Sequence, residues 1–194
     1  MDTPLKIAIT GGIGCGKSMT GSVVQSLGIE VLDTDLVAHS LLQSDAEVQR
    51  QIVARFGPAV SGPEGIKRTE LGRIAFQDGA ARRDLESILH PLIRAHASSW
   101  MSSKSVPCAV LVPLLFEVGW QSDFDFIACV ACSPSIQRQR LAARGLDEGA
   151  IDQRLKAQLP VAEKMARAQA VIWTDGPPAR QADQWRLILR RLRP

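Results

Sequence analysis

Residues 6–18 read KIAITGGIGCGKS. Lys6 to Thr10 form a short apolar run with β-branched residues, and a glycine-rich segment follows at once. Gly11, Gly16, Lys17 and Ser18 match the spacing G-x-x-x-x-G-K-[ST]. The next stretch, MTGSVVQSLG, carries helical apolar spacing and stops at Gly28, a common C-cap residue. Strand, glycine loop and helix in that order predict a phosphate cradle. Glycines remove Cβ atoms, so successive backbone N–H groups can turn inward around phosphate oxygens. The following helix N-terminus adds partial positive charge.

Every residue of the loop (Gly11, Gly12, Ile13, Gly14, Cys15, Gly16, Lys17 and Ser18) is therefore a candidate contact for a nucleoside triphosphate. Lys17 is suited to the β- and γ-phosphates, and the Ser18 hydroxyl to Mg²⁺. Cys15 fills a variable place in the loop. It reads either as a passive small residue or as a thiol acidified near a helix N-terminus.

A second decisive stretch is IEVLDTDLVAH at 29–39, an apolar run that ends in Asp33 and Asp35. In a nucleotide-binding α/β sheet, ligands sit outside the carboxyl ends of the strands. Both acids are thus expected on the rim of the cradle, projecting the same way if the chain stays extended between them. One can help hold Mg²⁺ or its waters, and the other can take a proton from an attacking hydroxyl. The alternative is that Asp35 merely N-caps the next helix.

Composition narrows the class. The 194 residues suffice for one compact domain, with 45% hydrophobic and 22% charged residues, as in ordinary globular proteins. A net charge of +3 is a mild bias toward anionic ligands, short of a nucleic-acid-binding signature. No run approaches a membrane span, and MDTPLKIAIT lacks the layout of a secretory signal. The cysteines at 15, 108, 129 and 132 lie in apolar runs, so a reducing cytoplasm is expected. Cys129 and Cys132 spell C-x-x-C, but on a strand such positions point to opposite faces. The chain has no Asn, which removes the usual N-K-x-D guanine reader and disfavours GTP.

The ordered set TGGIGCGKS, VLDTD-LVAH, KRTELGRIAF, LHPLIRA, VPLLFEVG and RQRLAARG resembles the dephospho-coenzyme A kinase family. That resemblance implies ATP-dependent phosphorylation of the ribose 3′-hydroxyl of dephospho-CoA, with Mg²⁺, as the last step of CoA synthesis. It implies Asp35 as the base, Asp33 supporting substrate or metal, and Lys17 and Ser18 on ATP and Mg²⁺. Arg68, His90 and Arg94 would lie around the acceptor, in a helical insertion at about 34–90. Arg140 and Arg144 would belong to a lid at about 134–159 that closes over the phosphates, guanidiniums being suited to charge on a moving phosphoryl group.

Two departures stand out. The family's base-binding region usually ends ADFVI-D-N-x-G, whereas this chain has AQAVIWTDG, with Gln169 for Asp and Thr174 for Asn. The strand CAVLVPLLFE carries no acid before Pro113, leaving Glu117 as a structural residue or a minor contributor to metal binding.

Strands near 5–10, 30–33, 108–113, 125–131 and 170–173 alternate with helices. The expected fold is α/β, a P-loop NTPase with a five-stranded parallel doubly wound sheet. The whole chain would be a single kinase domain, its core at about 1–33, 91–133 and 160–194. GPAVSGPEG at 57–65 reads as a loop, and Pro91 as a helix start or kink beside His90. Leu89, Leu92, Ile93 and Ala97 are expected on one helix face, and ADQWRLILRRLRP as a basic amphipathic helix docked on the sheet. Another small metabolite or nucleoside monophosphate kinase, or an ATP-binding regulator without turnover, remain as rivals. Oligomeric state is open.

Overall fold

The structure, a computed structural model, describes residues 4–192. The elements run β1 (Lys6–Gly11), α1 (Lys17–Ser26), β2 (Glu30–Asp33), α2 (Thr34–Ser44) and α3 (Ala46–Phe56). A small hairpin follows, β3 (Ser61–Gly62) and β4 (Gly65–Ile66), then α4 (Arg68–Gln77) and α5 (Gly79–Ser102). The chain continues through β5 (Cys108–Leu111), β6 (Phe126–Ala131), α6 (Pro134–Ala142), α7 (Glu148–Lys156), α8 (Val161–Arg167), β7 (Ala170–Trp173) and α9 (Pro178–Leu192).

Two compact units result. One ends at Asp33 and resumes at Ser103; the other is Thr34–Ser102. The first holds a five-stranded parallel sheet in the order β2-β5-β1-β6-β7. Its central strands are buried on both faces, which is why KIAIT, CAVL and FIACVA are almost continuously apolar. Helices α1 and α9 cover the sheet, and Trp185 of α9 is fully buried among Ile7, Val24 and Ile172. The basic C-terminal helix is thus anchored by its indole, while Leu187 stays exposed. The last two residues of the expected tail helix, 193 and 194, lie outside the described residues.

The second unit is helical apart from its hairpin. The segment expected as a loop at 57–65 contributes Ser61 and Gly62, paired antiparallel with Ile66 and Gly65. Gly65 adopts φ 99°, and a Cβ there would come within 2.8 Å of the Gln43 backbone, so only glycine fits. Helix α5 runs unbroken through Pro91, contrary to a start at that point. Its buried stripe, Leu89, Ile93, Ala97 and Met101, continues on both sides of the proline, so packing outweighs one lost backbone hydrogen bond. Leu92 falls off that stripe and is exposed, whereas Met101 takes the place it was expected to share.

Candidate active site

The site grows from the C-terminal ends of the parallel strands. Gly11 closes β1 opposite Val130 of β6, and a Cβ on Gly11 would fall 2.2 Å from the Val130 carbonyl oxygen. The strands therefore pack too closely there for any side chain. The loop then rises to Gly16 at the N-cap of α1, which has no side chain to cap the helix. No acid occupies the first turn of α1. Helix N-terminal N–H groups left without a carboxylate or hydroxyl cap form an anion site.

Lys17 folds back over the loop, its Nζ donating to the carbonyl oxygens of Gly11 at 2.9 Å and Gly12 at 3.0 Å. The ammonium thus stands where phosphate oxygens can replace the carbonyls. Ser18 follows on the exposed side of α1. Two distant amides fix the loop's crest: Gln137 Nε2 donates to the Ile13 carbonyl at 2.6 Å, and Ile13 N–H donates to Gln158 Oε1 at 3.0 Å. Cys15 is fully buried in the core beneath, consistent with the passive reading.

Arg140, in the last turn of α6, reaches the same place. Its Nη1 donates to Thr174 Oγ1 at 2.9 Å and its Nη2 to the Thr174 carbonyl at 2.6 Å. A Cβ on Gly16 would lie 3.5 Å from Arg140 Nη1, so the guanidinium abuts the cradle. Arg144 is exposed in the turn after α6 and is not drawn in. Arg138 ties α6 to α7 through Glu148 at 2.6 Å and Asp152 at 2.5 Å. Its role here is to hold that helical hairpin together.

Asp33 ends β2 in register with Leu111, which is itself in register with Ile9 of β1. With strands about 4.8 Å apart, Asp33 stands two strands and about 10 Å across the sheet from β1, at the same edge. The chain is not extended from Asp33 to Asp35. Helix α2 begins at Thr34, so Asp35 is a first-turn helical residue, neither N-cap nor a continuation of the strand. The carboxylate favours the helix dipole there and is exposed.

In the second unit, Arg68 opens α4 directly after Lys67, placing two cations at the positive end of a helix. The helix dipole opposes cations at that end. Arg68 Nη1 lies 3.0 Å from His39 Nδ1. A guanidinium can only donate, so His39 Nδ1 can serve as the acceptor in this contact. His90, half-buried on α5, is pushed below the usual histidine value, mainly by burial and against the pull of Glu86. Arg94 is exposed one turn further on.

One buried cation was not singled out from the sequence. Lys164, fully buried in α8, donates to the Pro113 carbonyl at 2.8 Å and pairs with Glu117 at 2.7 Å. Glu117 is thereby a structural acid. Gln169 Oε1 accepts from the Ile127 N–H at 2.9 Å, extending the β6–β7 ladder. Among the described residues no three His, Cys, Asp or Glu side chains are grouped to hold a metal.

A family model described as dephospho-CoA kinase matches residues 5–179. The chain belongs to the dephospho-CoA kinase family. It is 38% identical over 178 residues to the dephospho-CoA kinase of Geobacillus kaustophilus, covering 89% of each chain. Among solved structures, TT1252 from Thermus thermophilus is similar with a TM-score of 0.82 at 30% identity, each chain covered completely. The dephospho-CoA kinase from Campylobacter jejuni is similar with a TM-score of 0.70 at 25% identity, with 96% of each chain covered. The chain is thus an α/β P-loop kinase. None of its described helices is long and apolar enough to cross a membrane.

Proposed function

We propose that the chain transfers the γ-phosphoryl group of ATP to the ribose 3′-hydroxyl of dephospho-CoA, giving CoA and ADP in the cytoplasm. The observation that carries this reading is the family match over residues 5–179, joined to a formed phosphate cradle with Lys17 folded over it.

Loop N–H groups and the α1 N-terminus bind the β-phosphate, and Lys17 shifts from the Gly11 and Gly12 carbonyls onto phosphate oxygens. Asp35 takes the proton from the 3′-hydroxyl as its oxygen attacks phosphorus and the bond to the β-phosphate oxygen breaks. Asp33 orients the acceptor or the waters beside it. Arg140 neutralises charge gathering on the transferred group, and Arg144 joins from the lid at 134–159. Arg68, His90 and Arg94 receive the acceptor, Arg68 at a cation-rich helix start suited to a phosphate. The unit Thr34–Ser102 is the acceptor-binding insertion.

The residues present suit Mg²⁺ carried by the nucleotide. The exposed Ser18 hydroxyl gives one hard oxygen ligand, and such an ion commonly takes its remaining ligands from phosphate and water. When bound, it withdraws charge from the β- and γ-phosphate oxygens.

Purified chain with Mg-ATP and dephospho-CoA tests the reading. Stoichiometric ADP and CoA are expected. ADP formed only with a nucleotide or another metabolite as acceptor would move the chain to a different kinase class, and nucleotide binding without turnover would make it a regulator.

A further inference from the structure

We propose that Thr174 is a positioning residue that fixes Arg140 against the phosphate cradle; this rests on the kinase reading above. Thr174 follows β7, and its N–H donates to the Ala131 carbonyl at 2.9 Å, carrying the strand ladder one residue further. The side chain therefore turns inward and is 1% exposed. Its hydroxyl has a single proton and two acceptors in reach: the Cys15 carbonyl at 2.8 Å and the Ala131 carbonyl at 3.3 Å. The shorter contact, to the loop residue before Gly16, is the better hydrogen bond.

The same oxygen accepts from Arg140 Nη1, while the Thr174 carbonyl accepts from Nη2. One residue thus grips the guanidinium at two points and is itself bonded to the cradle's backbone. Two of the five N–H donors of Arg140 are used in this way, and three remain for other acceptors. A long side chain that would otherwise sample many rotamers is set before any phosphate arrives. A position above Gly16, 3.5 Å from both Arg140 Nη1 and Thr174 Oγ1, marks where this assembly meets the loop. The competing account is that Thr174 only satisfies two buried carbonyls. It predicts a stability effect that is indifferent to Arg140.

The test is a double-mutant cycle on the full chain, with ATP kinetics and equilibrium binding of a fluorescent ATP analogue. Thr174→Val keeps the shape and removes the hydroxyl. It is expected to lower kcat at least fivefold while leaving KM for the acceptor within twofold. Thr174→Ser should restore kcat to within twofold of the parent. In an Arg140→Ala background, Thr174→Val should change kcat less than twofold. Equal losses in both backgrounds, or no loss in either, overturn the proposal. If circular dichroism shows that the Val variant is unfolded, Thr174→Ala takes its place in the cycle, with at least a threefold loss expected. If the parent makes no CoA, the functional reading fails and the cycle is read from analogue binding. A threefold weakening that requires Arg140 still supports the positioning role, and one independent of Arg140 overturns it.

Discussion

Lys164 and Glu117 form an ion pair of 2.7 Å in which the lysine side chain is wholly excluded from solvent. The ammonium also donates to the Pro113 carbonyl, and the carboxylate accepts from the Leu159 N–H. Three segments are joined by it: the turn after β5, the residues before α8, and α8 itself. Removing one partner leaves the other charge buried without compensation, which costs about 3–5 kcal/mol. Glu117→Ala should lower the urea midpoint by a corresponding amount, and Glu117→Gln by less because the amide still accepts from Leu159. A Glu117→Ala midpoint equal to the parent's would show that the pair contributes nothing.

That pair illustrates what the sequence conceals. The three central sheet strands were legible because a strand buried on both faces must be apolar throughout, as CAVL and FIACVA are. The cradle was legible because backbone phosphate binding demands glycines at set spacing. Lys164 carries no such mark. A lysine in VAEKMAR looks like a solvated helix charge until a residue 47 positions away meets it. Gln137, Gln158 and Thr174 likewise act on loop backbone atoms more than 120 residues distant in sequence. Pro91 failed as a helix start for a related reason: a local rule yielded to a buried stripe that runs past it.

Asp35 sits in the first turn of α2, exposed, where its carboxylate suits the helix dipole. As the proposed base it is expected to be needed for turnover and dispensable for nucleotide affinity. Asp35→Asn should reduce kcat about 10²–10⁴-fold, the usual range for a positioned base. Binding of an ATP analogue, followed by fluorescence, should stay within twofold. Kinetics unchanged by the substitution would assign the base elsewhere, with Asp33 the next to replace.

The buried thiols give an alkaline prediction. Burial first, then neighbouring Cys15, pushes Cys129 up to about 11 and Cys132 up to about 12. Cys108 is also raised, chiefly by burial. An unfolded chain ionises its thiols near about 8.5, so above that pH the native state holds more protons than the unfolded one. Stability should be intact below about pH 8.5 and fall as pH rises toward the native values. Replacing Cys129 by Ala should flatten that fall. At pH 8 a disulfide reagent such as dithionitrobenzoate should react with these three thiols only after denaturant is added; rapid reaction of the folded protein contradicts their burial.

His90 works at the other end of the scale. Burial lowers its pKa most, Glu86 pulls it up, and Arg82, itself bridged to Glu86 at 2.7 Å, lowers it again. The native state therefore holds the ring neutral where the unfolded chain, titrating near about 6.5, begins to take up a proton. Between those two values the unfolded state binds more protons, so stability rises with pH and is lost on acidification through about 6.5. Melting temperatures measured from pH 7.5 down to 5 should fall more steeply for the parent than for His90→Gln, whose side chain cannot titrate. Parallel slopes for the two proteins would place the acid sensitivity on other groups and leave His90 a neutral bystander of α5.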